Sequence, residues 1–325
     1  MKSGHYTLID LPSYVRPEWY EVAVNAVCSA LMNHGKVRSV YRIGSVTAPG
    51  ISDLDMVVVF RDEASTAYNP LAKLENESKY IFVHPLFGAS ESHFKEAAAI
   101  THFHNYRLIG GEDIFPQTKI PESDDKILRR QTALEFMIKM LFVMMMQKTY
   151  RIIKVRAFLL EARALEYDLE FLGLKNGPLY NLVQEIIELR KRWFLDSHAQ
   201  KEFVPVFDKL FDLLKEVLAN ELQAAPVFTP GIQSGRFTKN VKWQQSSVLD
   251  ITSRGLRIPS FPASFFSKKY YNFESRLTTF MVKLPVNKNC PSVLKNRYEL
   301  SSAMAEYNKK HIPNFIPLTS SLRMM

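Results

Sequence analysis

Two aspartates, two residues apart, lead into a strongly apolar run, and this pattern constrains the chain more than any other. Residues 53–60 read Asp-Leu-Asp-Met-Val-Val-Val-Phe, and a run this rich in β-branched apolar residues is typical of a buried strand. Aspartate is depleted in strands, so two of them here need an explanation. Side chains alternate across a strand, and Asp53 and Asp55 are therefore expected to project from one face. Because adjacent carboxylates repel each other unless a cation lies between them, the pattern predicts a divalent metal site.

A Gly-Ser pair precedes the aspartates. Gly44 and Ser45 follow a strand predicted over residues 36–43, and residues 46–52 form a loop that returns to Asp53. Glycine at such a turn allows backbone N–H groups and a hydroxyl to come close to a phosphate, so Gly44, Ser45 and Ser52 are candidate nucleotide-binding residues. A phosphate cradle beside a two-carboxylate site for Mg²⁺ (or Mn²⁺) suits nucleotide chemistry. The alternative is that Ser52 and Asp53 cap a turn and Asp55 is a charge at a strand end.

Gly-Ser, a short loop and Asp-x-Asp leading an apolar strand together resemble the signature of the polymerase-beta-like nucleotidyltransferase superfamily. A helix predicted over residues 18–32 and the strand over 36–43 precede the motif in the order of that family. The resemblance implies transfer of a nucleoside monophosphate from an NTP to an acceptor hydroxyl, phosphate or protein side chain, with release of pyrophosphate. It further implies that Gly44 and Ser45 hold the β- and γ-phosphates and that Asp53 and Asp55 bind two Mg²⁺ ions.

The third carboxylate that this family usually supplies from a later strand has no obvious counterpart. Residues 79–85 are predicted as that strand, but they carry no acid and end in His84-Pro85. A histidine can act as a general base, so His84 is the catalytic candidate at this position. Acidic alternatives are Glu112, Asp113, Glu161 and Glu166. The same departure leaves open a catalytically degenerate nucleotide-binding or regulatory protein of this fold.

The order of predicted elements indicates an α+β chain with three regions. Residues 1–120 are predicted as a nucleotidyltransferase-type domain with a mixed β-sheet and flanking helices. Residues 121–224 are predicted as a helical domain, and residues 225–325 as a basic, aromatic-rich region with short strands. Lys148 and Arg151 are three residues apart on a helix of the second region, and they are candidates for binding the triphosphate. The alternative for this pair is a solvated helix face.

The positive charge of the chain is concentrated at one end. The net charge is +9, yet residues 226–325 hold fifteen Lys or Arg against four Asp or Glu. The first 225 residues therefore carry a small negative charge. A basic region suggests an anionic partner, which favours an anionic acceptor such as a sugar phosphate, a polysaccharide precursor or RNA. It also supports a second hypothesis, a nucleic-acid-binding protein acting through residues 226–325, while a solvated basic face is the structural alternative.

Three features bear on location. The most apolar stretch, residues 133–146, is interrupted by Glu135 and Lys139 and is shorter than the roughly 18–20 residues that a membrane span needs. Residues 2–10 contain no apolar core of a signal peptide. Cys28 and Cys290 are too far apart in sequence to indicate a disulfide framework. We therefore expect no membrane span and a cytoplasmic protein.

Overall fold

A computed structural model describes residues 2–3, 6–102, 105–117, 120–196 and 199–318. Helices and several β-sheets occur together, which confirms the predicted α+β class. The helices are α1 (Glu18–Met32), α2 (Asn76–Ile81), α3 (Glu91–Ile100), α4 (Glu122–Tyr150), α5 (Val155–Phe171), α6 (Pro178–Arg192), α7 (Ala199–Ala224), α8 (Ala263–Leu277) and α9 (Ser292–His311). The strands are β1 (Lys2–Ser3), β2 (Tyr6–Ile9), β3 (Val37–Ile43), β4 (Asp55–Phe60), β5 (Phe87–Ser90), β6 (Arg107–Gly111), β7 (Ile152–Lys154), β8 (Val227–Phe228), β9 (Ser234–Thr238), β10 (Val241–Gln245), β11 (Asp250–Gly255), β12 (Thr278–Leu284), β13 (Val286–Asn287) and β14 (Ile316–Pro317).

The described residues divide into two compact units. We call them the aspartate unit, within residues 13–125 and 293–320, and the helical unit, within residues 1–12 and 126–292. The predicted limit after residue 120 lies close to this division. The predicted limit after residue 224 falls inside the helical unit, and residues 293–320 belong to the aspartate unit because β14 pairs with β5 there.

A five-stranded sheet forms the centre of the aspartate unit, in the order β14-β5-β4-β3-β6. Strand β4 pairs antiparallel with β3 and parallel with β5. Residues 56–60 of β4 are at most 1% exposed, because one apolar cluster covers each face of the sheet. Met56, Val58 and Phe60 belong to the cluster that includes residues of α1, and Val57 and Val59 belong to the cluster that includes residues of α3. Burial on both faces explains the unbroken apolar run of the sequence.

Helix α1 confirms the helix predicted over residues 18–32, with Pro17 at its N-cap and Gly35 in a left-handed turn after its end. Strand β3 confirms the predicted strand over 36–43, one residue shorter. Helix α3 directly follows β5, and its N-terminus is capped by the Ser90 hydroxyl, which accepts the His93 N–H.

One strand prediction was wrong in this unit, and another was right except for its first two residues. The strand predicted over 53–60 begins at Asp55, so Asp53 lies in the preceding loop. The strand predicted at residues 79–85 is instead the end of α2 followed by a loop, and the paired strand is β5. A short apolar run cannot be assigned to helix or strand from periodicity alone. The β5 sequence Phe-Gly-Ala-Ser has little strand propensity, but β4 and β14 pair with it on both sides.

Long helices dominate the helical unit, as predicted for residues 121–224. Helix α4 buries Leu134, Met137, Ile138 and Leu141, so the apolar stretch of residues 133–146 lies in a core helix. A four-stranded sheet follows, in the order β11-β12-β10-β9. Within the described residues, no helix is both long and apolar enough to cross a membrane.

Candidate metal centre

Three side chains of the aspartate unit converge at one edge of the sheet. Asp53, Asp55 and His84 each offer one ligand atom, and these three atoms all lie within 4.8 Å of one another. All three residues are half-buried, so a cation between them would retain access to solvent and to a substrate. Among the described residues this is the one group of three or more acidic, histidine or cysteine side chains with such spacing.

Strand register explains how residues far apart in sequence meet. Ile43 is paired with Asp55, and Gly44 therefore follows β3 beside the first residue of β4. A Cβ atom added to Gly44 would lie 4.0 Å from Asp55 Oδ2, which locates the Gly-Ser turn next to this carboxylate. On the other side, Val57 pairs in parallel with Phe87. His84 precedes β5 by three residues and reaches the same edge as Asp55.

His84 makes close contacts on both ring nitrogens. Its Nε2 lies 3.0 Å from Asp55 Oδ1, and its Nδ1 lies 2.7 Å from the Pro85 carbonyl oxygen. The ring also packs edge-on against Phe87. Burial lowers the pKa of His84, but the contacts with Asp55 and Pro85 and the charge of Asp53 outweigh it, so the pKa is raised overall. The imidazole is thus held in a strongly negative environment, as expected for a side chain beside two carboxylates.

The donor set fits a divalent cation. Asp55 Oδ1 is shielded from solvent, and His84 Nε2 lies 3.0 Å from it. A bound cation would satisfy this oxygen. Two carboxylates suit Mg²⁺ and Mn²⁺, whereas an imidazole nitrogen is a better ligand for Mn²⁺ and the later transition metals than for Mg²⁺. The residues therefore fit a divalent cation of the kind that the sequence predicts.

The loop between Gly44 and Asp53 is anchored by two tyrosines. Tyr20 OH donates to the Ser52 carbonyl at 2.7 Å and accepts the Gly50 N–H at 3.0 Å, while Tyr80 OH donates to the Gly50 carbonyl at 2.9 Å. Ile51 is fully buried. These contacts hold the loop that carries Asp53, although it contains no regular element. Nothing in the sequence indicated this role for either tyrosine, since each lies on a helix remote from the motif.

Ser52 belongs to this anchoring rather than to an open phosphate site. Its side chain is 3% exposed, and its hydroxyl accepts the Ala48 N–H at 3.1 Å. Gly44 and Ser45, in contrast, are exposed at the turn. Of the three candidate nucleotide-binding residues in this segment, two are accessible and one supports the loop.

Lys148 and Arg151, the other candidates for the triphosphate, belong to the helical unit. Lys148 Nζ forms an ion pair with Asp208 Oδ1 and lies over the Phe211 ring. Arg151 is exposed just after the end of α4, in a left-handed conformation. Neither residue is part of the compact unit that holds the aspartates.

The acidic alternatives for a third carboxylate are engaged elsewhere. Glu112 pairs with Arg38, and Asp113 accepts a hydrogen bond from Tyr41 OH. Both residues follow Gly111, which pairs with Ser39 of β3. Ser39 is four residues from Ile43, so Gly111 lies roughly 13 Å from the end of β3 that is next to Asp55. In the helical unit, Glu161 pairs with Lys139 and Glu166 pairs with Arg163.

Comparison with known proteins does not assign a family. No protein-family model matches the chain, and no curated protein matches it either. The geometry of the aspartate unit is therefore the basis for a functional assignment.

Proposed function

We propose that the chain is a metal-dependent nucleotidyltransferase that moves a nucleoside monophosphate from an NTP to an acceptor hydroxyl or phosphate. The observation that carries this proposal is the convergence of Asp53, Asp55 and His84 ligand atoms within 4.8 Å beside the exposed Gly44-Ser45 turn. A cation site next to a turn that can approach phosphates is the arrangement that phosphoryl-group chemistry requires.

Each residue of this site has a distinct proposed role. Asp53, Asp55 and His84 would hold the divalent cation, and Gly44 and Ser45 would bind the terminal phosphates through backbone N–H groups and a hydroxyl. When bound, the cation supplies charge neutralisation at the phosphates and polarisation of the phosphoryl group. The acceptor oxygen would form a bond to the α-phosphorus, and a hydroxyl acceptor would lose its proton to water. The bond from the α-phosphorus to the bridging oxygen would break, and pyrophosphate would leave. Positioning supplies most of the rate in such transfers.

The experiment that tests this function is incubation of the full chain with α-labelled NTPs and Mn²⁺ or Mg²⁺. The acceptor screen includes sugars, sugar phosphates, proteins and RNA. We expect labelled product and stoichiometric pyrophosphate with at least one NTP. Nucleotide binding in calorimetry without any turnover would instead support the alternative of a catalytically degenerate nucleotide-binding protein. That alternative arises because His84 stands where the polymerase-beta-like superfamily usually has a third carboxylate.

Replacement of His84 tests the donor set directly. We expect His84→Ala to weaken Mn²⁺ binding by about tenfold or more. Loss of a residue that only supports a metal ligand already weakens metal binding by about tenfold to hundredfold, and loss of a ligand itself should cost at least the lower of these values. Mg²⁺ binding should weaken less, because Mg²⁺ readily keeps water in place of a nitrogen ligand. The free Mn²⁺ signal in electron paramagnetic resonance measures the first, and calorimetry measures the second.

His93→Ala is the matched control for this test. His93 lies on α3 of the same unit, and its Nδ1 contacts the Ser90 hydroxyl rather than the aspartates. We expect this variant to bind Mn²⁺ like the unmodified chain. Equal Mn²⁺ affinity in His84→Ala and His93→Ala would remove His84 from the proposed ligand set.

A second candidate function, nucleic-acid binding, is supported by one face of the β11-β12-β10-β9 sheet. Each strand contributes one cation to that face, as listed here: Arg236, Lys242, Lys283 and Arg254. Three of them line a depression of about 500 Å³ together with Thr252 and Thr279. Asp250 is the acidic member of the strands, and it pairs with Lys283. A cationic polar sheet face of this kind suits a phosphodiester backbone.

Charge removal on this face tests the second candidate. Glutamine at all four positions should lower the salt dependence of single-stranded RNA binding. The slope of the logarithm of the binding constant against the logarithm of salt concentration should be smaller by about 3, because each of four phosphate contacts contributes about 0.7. Fluorescence polarisation at several salt concentrations measures the slope. The control removes four exposed cations from helices of the same unit: Lys191, Arg192, Lys209 and Lys215. Equal slopes for the two variants would exclude the sheet face as the binding surface.

A further inference from the structure

A concave pocket of the helical unit has no lining residue in common with the candidate metal centre. It has a volume of about 500 Å³, within the range of small-molecule sites. Its walls come from β2, from the junction of α4 with β7, and from the segment that follows β11. Three elements that are distant in sequence thus build one cavity, which no short motif could reveal.

The charge of the pocket is positive. Arg151 and Arg257 line it, and no carboxylate is among the described residues of its lining. Neither guanidinium forms an ion pair with a carboxylate in the described part of the chain. Two carboxylates outside the lining interact with lining residues. Asp208 accepts a hydrogen bond from Tyr6 OH and is paired with Lys148, and the buried Glu274 lies near the Ile258 backbone. Two arginines that line one cavity, neither of them ion-paired with a carboxylate in the described residues, favour an anionic ligand.

Arg151 is also held in a strained backbone conformation. Its φ is +56°, a region that a residue with a side chain occupies at a cost and that glycine or asparagine enters more easily. Its carbonyl accepts the Thr7 N–H at 2.8 Å, and its own N–H donates to the Lys148 carbonyl at 3.2 Å. The backbone at this junction is therefore fixed, and the arginine side chain begins from a defined position. Such strain is concentrated at binding sites.

Hydroxyl and aromatic groups complete the lining. The Thr7 hydroxyl donates to the Ser260 hydroxyl at 3.1 Å, and Tyr6, Tyr150 and Phe261 contribute rings. Burial and the hydrogen bond to Asp208 raise the pKa of Tyr6, so this phenol adds no negative charge at neutral pH. The lining offers cations and hydroxyls for a phosphate and rings for a flat or apolar group.

We infer that this pocket binds a phosphate-bearing small molecule of nucleotide size, with Arg151 and Arg257 contacting the phosphate. Arginine is suited to this role because its planar fork donates two parallel hydrogen bonds to phosphate oxygens. The aromatic side chains would contact the remainder of the ligand. The inference does not depend on metal binding or on nucleotidyl transfer in the aspartate unit.

Calorimetry of the full chain in buffer with EDTA tests the inference without metal-dependent binding. The probes are AMP, ribose 5-phosphate, inorganic phosphate and adenosine. We expect AMP to bind at least tenfold more tightly than adenosine, because the phosphate supplies the contacts with the arginines. Arg257→Gln and Arg151→Gln should each weaken AMP binding by about tenfold or more, since each removes a charge-assisted contact.

Two control variants test whether AMP binds in this pocket. Arg276→Gln removes an exposed arginine of α8 that does not line the pocket, and it should bind AMP normally. Asp53→Asn/Asp55→Asn should also bind AMP normally in EDTA, whatever its activity. Arg151 has a strained backbone, so Arg151→Gln could unfold. In that case the result for Arg257→Gln decides the test. The inference is overturned if no phosphorylated probe binds at millimolar concentration, if adenosine binds as tightly as AMP, or if Arg257→Gln binds AMP like the unmodified chain.

Discussion

Asp53→Asn/Asp55→Asn is expected to lower the rate of pyrophosphate release from an NTP by about a thousandfold or more. Two of the three converging side chains lose their charge in this variant. A metal at a phosphoryl group supplies several kcal/mol of transition-state stabilisation. Because each 1.36 kcal/mol changes the rate tenfold, loss of the metal is expected to have an effect of this size. Folding should be retained, because asparagine has the same shape and removes a repulsion between neighbouring carboxylates. Product formation with labelled NTP and circular dichroism measure the two effects.

The matched control for this variant is Glu63→Gln/Glu77→Gln. Both glutamates are exposed in the same compact unit, so the change in net charge is equal and the metal centre is intact. We expect this control to keep the full rate of transfer. A double asparagine variant with the activity of the control would show that the aspartates do not carry the chemistry and would refute the proposed function.

Gly111→Ala is expected to destabilise the aspartate unit more than any other single methyl addition discussed for this protein. Gly111 ends β6 with φ of +84°, and a Cβ atom there would lie 2.1 Å from the Arg38 carbonyl oxygen. The backbone of β3 or β6 must therefore move. Left-handed strain and overpacking each cost about 1–3 kcal/mol, so we expect the free energy of unfolding to fall by about 3 kcal/mol or more.

Gly35→Ala separates strain from steric overlap. Gly35 has a similar φ of +70°, but nothing lies within 4 Å of an added Cβ atom. This variant should lose about 1–2 kcal/mol, the cost of a left-handed conformation alone. Urea denaturation, followed by the fluorescence of the chain, measures both variants. Equal losses for Gly111→Ala and Gly35→Ala would contradict the close approach of β6 to Arg38.

Asp53 and Asp55 come together as the sequence predicts, but for a different structural reason. The sequence predicts two carboxylates on one face of a strand, yet Asp53 precedes β4 and only Asp55 is within it. The carboxylates still come together because the loop is fixed by Tyr20 and Tyr80. These contacts join residues 30 or more positions apart in sequence, and no local pattern encodes them.

His84 is a second example of the same kind. The sequence placed it at the end of a strand, whereas it lies in a loop between α2 and β5. It nevertheless reaches Asp55 because β5 runs parallel to β4 and begins at the same edge. The pairing of β5 with β4 and β14 decides this position, since the Phe-Gly-Ala-Ser segment has no strong preference of its own. Gly88 permits the pairing, because a Cβ atom there would lie 2.6 Å from Phe315.

Local sequence therefore determined the elements with strong periodicity or clear end signals. The side-chain pattern predicts the helix from Glu18 to Met32, the apolar strand after Asp55 and the long helices of residues 121–224. In each of them the spacing of the apolar residues shows which face is buried. Only the tertiary structure decided which loops are held, how residues 293–320 join the aspartate unit, and where Arg151 and Arg257 meet. Those outcomes depend on contacts between segments that are distant in sequence. Such contacts form only when folding closes the loops between the segments, so no local pattern of residues predicts them.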